Sequence, residues 1–331
     1  MNSLKSAIAE HPFLRGMKRE YFEILAKNAR ETAFDQGQII FHEGEPAYQF
    51  YLITQGKVAV ESHPPLGRDI PLQILAGGDV LGWSWLFPPF NWHFPARALE
   101  PTEAIFLDGA SLLVACQNDH QLGYELMKRI AQVVIDRLQS ARRCLLEGQR
   151  EDRPFAVVDL KPPARRDHQI ASAKTMEDML AEHPFFKGLS ERHLRILADS
   201  AMPSEFPADQ IIFGEGEIAN RFYLIQRGKV VIEVPEAERG AVPIQVIADG
   251  DVLGWSWLFP PYYWHFDARA LQPSRAIFFY GTRLREQCEA DHEFGYELLK
   301  RACQVLIQRL QATRRQLLAA RIADKPHSAV A

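Results

Sequence analysis

Between Gly82 and Arg97 the chain sets six aromatic side chains around one histidine, His93, and one hydroxyl, Ser84. The aromatics are Trp83, Trp85, Phe87, Phe90, Trp92 and Phe94. Indole and phenyl faces stack on planar or apolar ligands, and an imidazole among them offers a hydrogen bond, so the set is a candidate small-molecule pocket. It returns 172 residues later as Gly254, Trp255, Ser256, Trp257, Trp264, His265 and Arg269. A second reading has the indoles filling a core or forming a protein interface, with no ligand. A third has His93 and His265 as haem ligands. There is no GxSxG, HExxH, P-loop or paired-carboxylate pattern, so catalysis is not expected, and no metal-ligand spacing stands out. Glu43, Glu45, Glu215 and Glu217 read as turn chemistry.

The duplication extends well past the aromatic block. GDVLGWSWLFPP runs from Gly78 to Pro89 and again, letter for letter, from Gly250 to Pro261. The same offset joins His11 to His183, Glu43 to Glu215, Tyr51 to Tyr223 and Gly123 to Gly295. Solenoid units repeat every ~20–50 residues, so a period this long is a whole domain. The expected layout is a domain over 1–148, a charged, proline-rich linker over 149–175, a second domain over 176–322 and a tail over 323–331. With 47% hydrophobic and 24% charged residues, the chain has the composition of a globular protein. The net charge of −4 argues against a general affinity for nucleic acid, which needs a basic surface. Cys116, Cys144, Cys288 and Cys303 form no CxxC pair and read as reduced thiols in a cytoplasmic protein. No stretch is apolar for the ~20 residues of a membrane helix.

Each repeat opens with short amphipathic stretches; in the second these carry Met179, Leu180, Leu194 and Leu197, split by His183-Pro184. Then the period changes to short strand-like runs: Gln38–Phe41, Phe50–Ile53, Val58–Glu61, Pro71–Leu75, Ala96–Leu99 and Ala104–Leu107. Their close spacing between glycines predicts a β-roll. A long helix follows Asp119-His120 and again Asp291-His292. Its stripe includes Ile130, Val134 and Leu138 in the first copy, Leu306 and Leu310 in the second, at the three-or-four spacing of a helix seam. Arg142-Arg143 and Arg314-Arg315 read as solvated faces near helix C-termini.

The specific elements are Phe41-His42-Glu43-Gly44-Glu45, Phe50-Tyr51-Leu52-Ile53 with Gly56-Lys57-Val58, Gly78-Asp79-Val80-Leu81-Gly82 and Ala96-Arg97-Ala98-Leu99, each with its mate. Together they resemble the cyclic nucleotide-binding domain, the sensor of catabolite-activator-type regulators and of protein kinase A regulatory subunits. The resemblance implies an α+β fold of two tandem antiparallel β-rolls, each with short helices before it and a long helix after. It implies a phosphate-binding cassette over Gly82–Arg97, in which a glutamate holds the ribose and an arginine the cyclic phosphate. Trp83 and Trp255 stand at the glutamate position, Trp92 and Trp264 at the arginine position; Arg97 and Arg269 match a strand arginine. Indole offers one donor and no acceptor, so cAMP or cGMP binding is not expected. The expected function is a non-enzymatic regulatory or adaptor protein whose cassettes take another small ligand and whose long helices signal to a protein partner. In that family two subunits pair through the long helix, so two repeats in one chain are expected to form an internal pseudo-dimer or a homodimer. No DNA-binding segment is read in the chain.

Overall fold

The computed structural model describes residues 2–62, 70–147, 175–236 and 240–323; the linker and tail expectations, and the loop His63–Asp69, fall largely outside them. In the first copy, α1 (Asn2–Glu10) and α2 (Arg19–Ala26) precede eight strands. These are β1 (Arg30–Phe34), β2 (Ile39–Phe41), β3 (Gln49–Gln55), β4 (Lys57–Ser62), β5 (Ile70–Ala76), β6 (Val80–Leu81), β7 (Ala96–Ala98) and β8 (Thr102–Asp108). Then come α3 (Gly109–Asn118) and α4 (His120–Glu147). The second copy repeats the order with α5 (Met176–Glu182), α6 (Glu191–Ala198), β9 (Met202–Phe206), β10 (Ile211–Phe213), β11 (Arg221–Arg227) and β12 (Lys229–Glu236). It continues with β13 (Gly240–Ala248), β14 (Val252–Leu253), β15 (Asp267–Ala270), β16 (Ser274–Tyr280), α7 (Gly281–Ala290) and α8 (His292–Ala323).

Every pairing is antiparallel. In the first roll the sheets run β1-β8-β3-β6 and β2-β7-β4-β5; in the second, β9-β16-β11-β14 and β10-β15-β12-β13. The expected α+β architecture of two β-rolls is the observed one. The strand β3 shows how one segment serves two layers. Tyr51 and Ile53 face the roll interior with Val58, Leu81, Trp92 and Phe106. Phe50, on the opposite face, meets Phe13 of the helical layer at 5.7 Å and Trp85 at 5.9 Å. Strand residues 50–53 are therefore all buried, which is why this run lacks a polar alternation.

Local chemistry sets the helix starts. Thr175 and Asp178 form a reciprocal capping box on α5, with Asp178 N donating to Thr175 Oγ1 at 3.2 Å. Asp119 accepts from Leu122 N at 3.0 Å and Asp291 from Phe294 N at 3.1 Å, one turn into α4 and α8.

The chain forms two compact units, and their boundary falls inside α8. The first unit is 1–148 together with everything from Cys303; the second is 149–302. In this division the C-terminal half of α8 groups with the first copy. Its apolar residues Ile307 and Leu310 border one small cavity together with the first roll's Trp83 and Trp92.

His11 and His183 are repeat mates with unequal surroundings. Each accepts a backbone N–H at Nδ1, from Phe13 at 3.3 Å and Phe185 at 3.2 Å, so the proton sits on Nε2. His11 Nε2 lies 3.1 Å from the carbonyl of Ile53. His183 Nε2 is buried with no hydrogen-bond partner among the described residues. Burial pushes His183 down to about 4. It pushes His11 down as well, against the Ile53 carbonyl and Asp79, which act the other way. A histidine held neutral in the fold is protonated first in the unfolded chain. Its contribution is complete above pH ~6.5 and declines as pH falls toward ~4, by about 3 kcal/mol over that window. Urea unfolding of the second unit should show this decline, and His183→Asn should flatten it; a slope unchanged by the substitution would assign it to other groups.

Candidate functional site

The cassette begins where β6 ends. Gly82 takes φ +88°, and a side chain there would place Cβ 2.8 Å from the Gln49 carbonyl and from Cη2 of Trp92. Gly254 repeats this with φ +86°. A single 3₁₀ turn, Ser84–Leu86, follows, then the cis Pro88-Pro89 pair. The chain next returns along the Glu43–Glu45 turn. Trp92 N donates to the Glu45 carbonyl at 2.9 Å, and Gly44 N to the Trp92 carbonyl at 2.8 Å. Glu45 itself braces the turn by accepting from His42 N at 2.9 Å, and Glu217 does the same for Gly214 at 3.0 Å.

This strap holds Trp92 flat on Phe41, with ring centroids 3.9 Å apart and planes within 14°. Trp264 and Phe213 make the same stack at 3.9 Å and 15°. Trp83 is buried beside it. Arg137 from α4 lies over the Trp83 ring at 4.3 Å and donates to the Val80 carbonyl at 2.7 Å. What remains is a cavity of about 50 Å³, bordered by Gly82, Trp83, Ser84, Trp92 and His93 of the cassette. Its far wall is Arg137 together with Ile307, Leu310, Gln311 and Arg314. That is room for a few waters and far below the ~300 Å³ of a small-molecule pocket. A porphyrin does not fit it.

The expected site residues separate into three groups. Gly82, Trp83, Ser84, Trp92 and His93 meet at the cavity. Trp85 and Trp257 point the other way, into the helical layer. Trp85 lies beneath Gly109 and meets Phe50, while Trp257 lies beneath Gly281 and meets Phe222 at 6.1 Å. Arg97 and Arg269 stand in their strands and are engaged there. Arg97 Nε donates to the buried Glu61 at 3.0 Å. Arg269 grips Glu233 with Nε at 2.7 Å and Nη2 at 2.8 Å, and reaches Asp209 at 3.2 Å. Neither arginine borders the cavity, so the structure gives them roll-closing ion pairs. Ile130, Val134 and Leu138 of α4 are buried, as are Leu306 and Leu310 of α8.

The two cassettes share their sequence but not their surroundings. Ser84 is buried and His93 half-buried; Ser256 is half-buried and His265 exposed, with Ser256 Oγ 3.2 Å from His265 Nδ1. Burial, then the charges of Arg315 and Arg314, push His93 below the usual imidazole range.

Two cavity residues escaped sequence reasoning: Arg137 and Arg314. The Arg314-Arg315 pair was expected on a solvated face, and so was Arg142-Arg143. Instead Arg314 and Arg142 are each only 6% exposed, while Arg315 and Arg143 do face solvent. The signal was present, since Arg137 and Arg142 recur unchanged as Arg309 and Arg314 beside the apolar stripe. Helix periodicity places one member of each arginine pair inward, because neighbours in a helix lie ~100° apart.

The Gly82 geometry is testable. Gly82→Ala should destabilise by at least ~2 kcal/mol in urea titrations, through the left-handed backbone and the displaced Trp92 ring. A neutral effect would mean that Trp92 is free to move off Phe41.

The chain is 28% identical over 153 residues to the CRP-like cAMP-activated global transcriptional regulator of Mycobacterium tuberculosis; the match covers 46% of this chain and 66% of that one. The regulatory domain of Toxoplasma gondii PKA, solved with cAMP, is similar over 98% of this chain and 97% of its own, at 10% identity and a TM-score of 0.31. A cyclic nucleotide-binding domain from Methylobacillus flagellatus covers 44% of this chain and 82% of its own, at 18% identity and a TM-score of 0.39. The family described as "Cyclic nucleotide-binding domain" matches residues 31–119 and 203–291, more than half of the sequence. With both of its β-rolls matched, the chain belongs to the cyclic nucleotide-binding domain family and carries two tandem copies of that domain.

Proposed function

We propose that this is a non-enzymatic regulatory or adaptor protein whose first cassette is closed to cAMP and cGMP by its own indoles. The observation that carries this is the Trp92–Phe41 stack beside the buried Trp83, which leaves about 50 Å³. Both positions expected to hold polar anchors for a cyclic nucleotide are indole. The nearest strand arginine, Arg97, is committed to Glu61. Binding a cyclic nucleotide would require unstacking Trp92 and expelling Trp83 from the roll. Each step exposes apolar surface worth ~1.5–3 kcal/mol per side chain.

Of the expected readings, the filled cassette therefore has more support than a pocket for a nucleotide-sized ligand, and the haem reading has none. Output through the long helices to a protein partner remains part of the proposal. Its support is that the C-terminal half of α8 forms a wall of the first cassette, so a change in either is felt by the other. A reducing compartment suits four cysteines that form no disulfide among the described residues, three of them buried. Among the described residues no helix is long and apolar enough to cross a membrane.

Calorimetric titration of the full chain with cAMP and with cGMP is expected to give no heat of binding up to millimolar nucleotide, with unchanged tryptophan fluorescence. Saturable binding at micromolar nucleotide would overturn the closed-cassette reading.

A further inference from the structure

The second unit carries a group of side chains that the first does not. His193 of α6, Asp291 at the junction of α7 and α8, and Glu293 in the first turn of α8 bring one metal-ligating atom each within 4.8 Å of one another. All three belong to the same compact unit. His193 is 2% exposed, and its Nε2 is buried with no hydrogen-bond partner among the described residues. Asp291 Oδ2 stands 3.4 Å from it, beyond the roughly 2.7–3.2 Å of an N–H···O bond. The other carboxylate oxygen, Oδ1, caps α8 by accepting from Phe294 N at 3.1 Å, which leaves Oδ2 for the histidine. Two buried polar atoms thus face each other at a separation too long for a hydrogen bond. It is the separation a shared ion sets: two ligands ~2.0–2.1 Å from a tetrahedral metal stand about 3.4 Å apart. In the first copy, 172 residues earlier, the same positions are Tyr21, Asp119 and Gln121. A phenol and an amide stand there in place of the imidazole and one carboxylate, so that copy keeps the capping aspartate without the other two ligands.

We propose that His193, Asp291 and Glu293 form a binding site in the second unit for a divalent transition-metal ion of zinc type. The donor set selects the class. One imidazole nitrogen with two carboxylates suits zinc, whereas calcium and magnesium take oxygen ligands. Three protein ligands leave a fourth position for water. His193 binds as the neutral imidazole through Nε2, with its proton on Nδ1. Burial works against the Asp291 carboxylate, but the Phe294 N–H and the neighbouring Arg192 and His193 outweigh it and hold the group below the usual range. Oδ2 is therefore an anionic ligand at neutral pH. Arg192 is the competitor, with Nη2 2.7 Å from the same oxygen. Its side chain is 68% exposed and can turn into water. An ion pair so open to solvent contributes little, so displacing it lowers metal affinity by at most about fivefold. The bound ion would fasten α6 to the α7–α8 junction, a tie the first copy has no ligands to make.

The three ligands lie outside both cassettes, so the site stands or falls independently of the closed-cassette reading. The experiment is calorimetric titration of the full chain, stripped with EDTA and dialysed, with zinc chloride in a buffer that does not bind zinc. Thermal unfolding would be followed in parallel. One site per chain that depends on His193 and Glu293 is expected, with the unfolding midpoint of the second unit raised by roughly 3–6 °C at ten times Kd. Glu293 is exposed, so Glu293→Gln leaves the fold intact; it should weaken zinc binding at this site roughly 10- to 100-fold. His193→Asn removes the one nitrogen ligand and should weaken it further. Should that buried variant fail to fold, Glu293→Gln carries the test alone. Arg192→Gln should keep the site and tighten it by up to about fivefold, which a plain ion pair does not predict. Magnesium chloride and calcium chloride should give no saturable heat. No saturable heat with zinc overturns the site. So does a zinc affinity unchanged by either ligand substitution, a weaker affinity in Arg192→Gln, or equal binding of magnesium.

Discussion

The first roll is organised around Trp92 lying flat on Phe41. The stack is imposed by backbone bonds on both sides of the indole, to Glu45 and to Gly44, so the ring has little freedom to leave. Its outer edge reaches the space where a Cβ of residue 82 would be, which is why that position must be glycine. Its bulk beside Trp83 closes most of the volume the roll would otherwise enclose. The cyclic nucleotide-binding fold is kept, with indole and phenyl rings occupying most of the space beside the cassette. The second roll makes the same stack with Trp264 and Phe213.

The cassette then sets a problem that the helices answer. Trp83 exposes a ring face toward α4, and Arg137 covers it, an arrangement in which the guanidinium loses water but gains the indole and the Val80 carbonyl. Arg314 closes the other side from α8. Two cations are thereby brought to one small cavity, with Asp79 and Asp136 close enough to favour the charge of Arg137. Arg97 and Arg269 show the contrasting solution within the same fold: each is placed against a buried glutamate, and each is satisfied locally.

How much of this was legible in the sequence follows from the range of the forces involved. The β-rolls, the helix starts at His120 and His292 and the turn role of Glu45 and Glu217 were readable, because each depends on local spacing, a glycine turn or a cap. The long stripe on α4 and α8 was readable as apolar. The facing of Trp85 was not. Trp83 and Trp85 are two residues apart and chemically identical, and only the 3₁₀ turn sends one toward the cavity and the other under Gly109. The burial of Arg314 was not readable either. A charged pair near a helix end usually faces water; what turns Arg314 inward is the first roll's surface, 241 residues earlier in the chain at Gln73. The division of α8 between two units is a long-range effect of the same kind.

The identical blocks carry a last consequence. Twelve matching letters guarantee matching local geometry, and the structure shows it in the glycine angles, the aromatic stacks and the cis proline pairs. They do not guarantee matching sites. His93 is half-buried and has its proton affinity lowered by burial and by Arg315 and Arg314, whereas His265 is exposed and lies against Ser256. The cassette supplies only one wall of the cavity; the other is supplied by helix residues far away in sequence. Duplication copied the wall, and each copy's chemistry is then decided by what packs on it. Non-equivalent surroundings for equivalent segments are the physical outcome of joining two such domains in one chain.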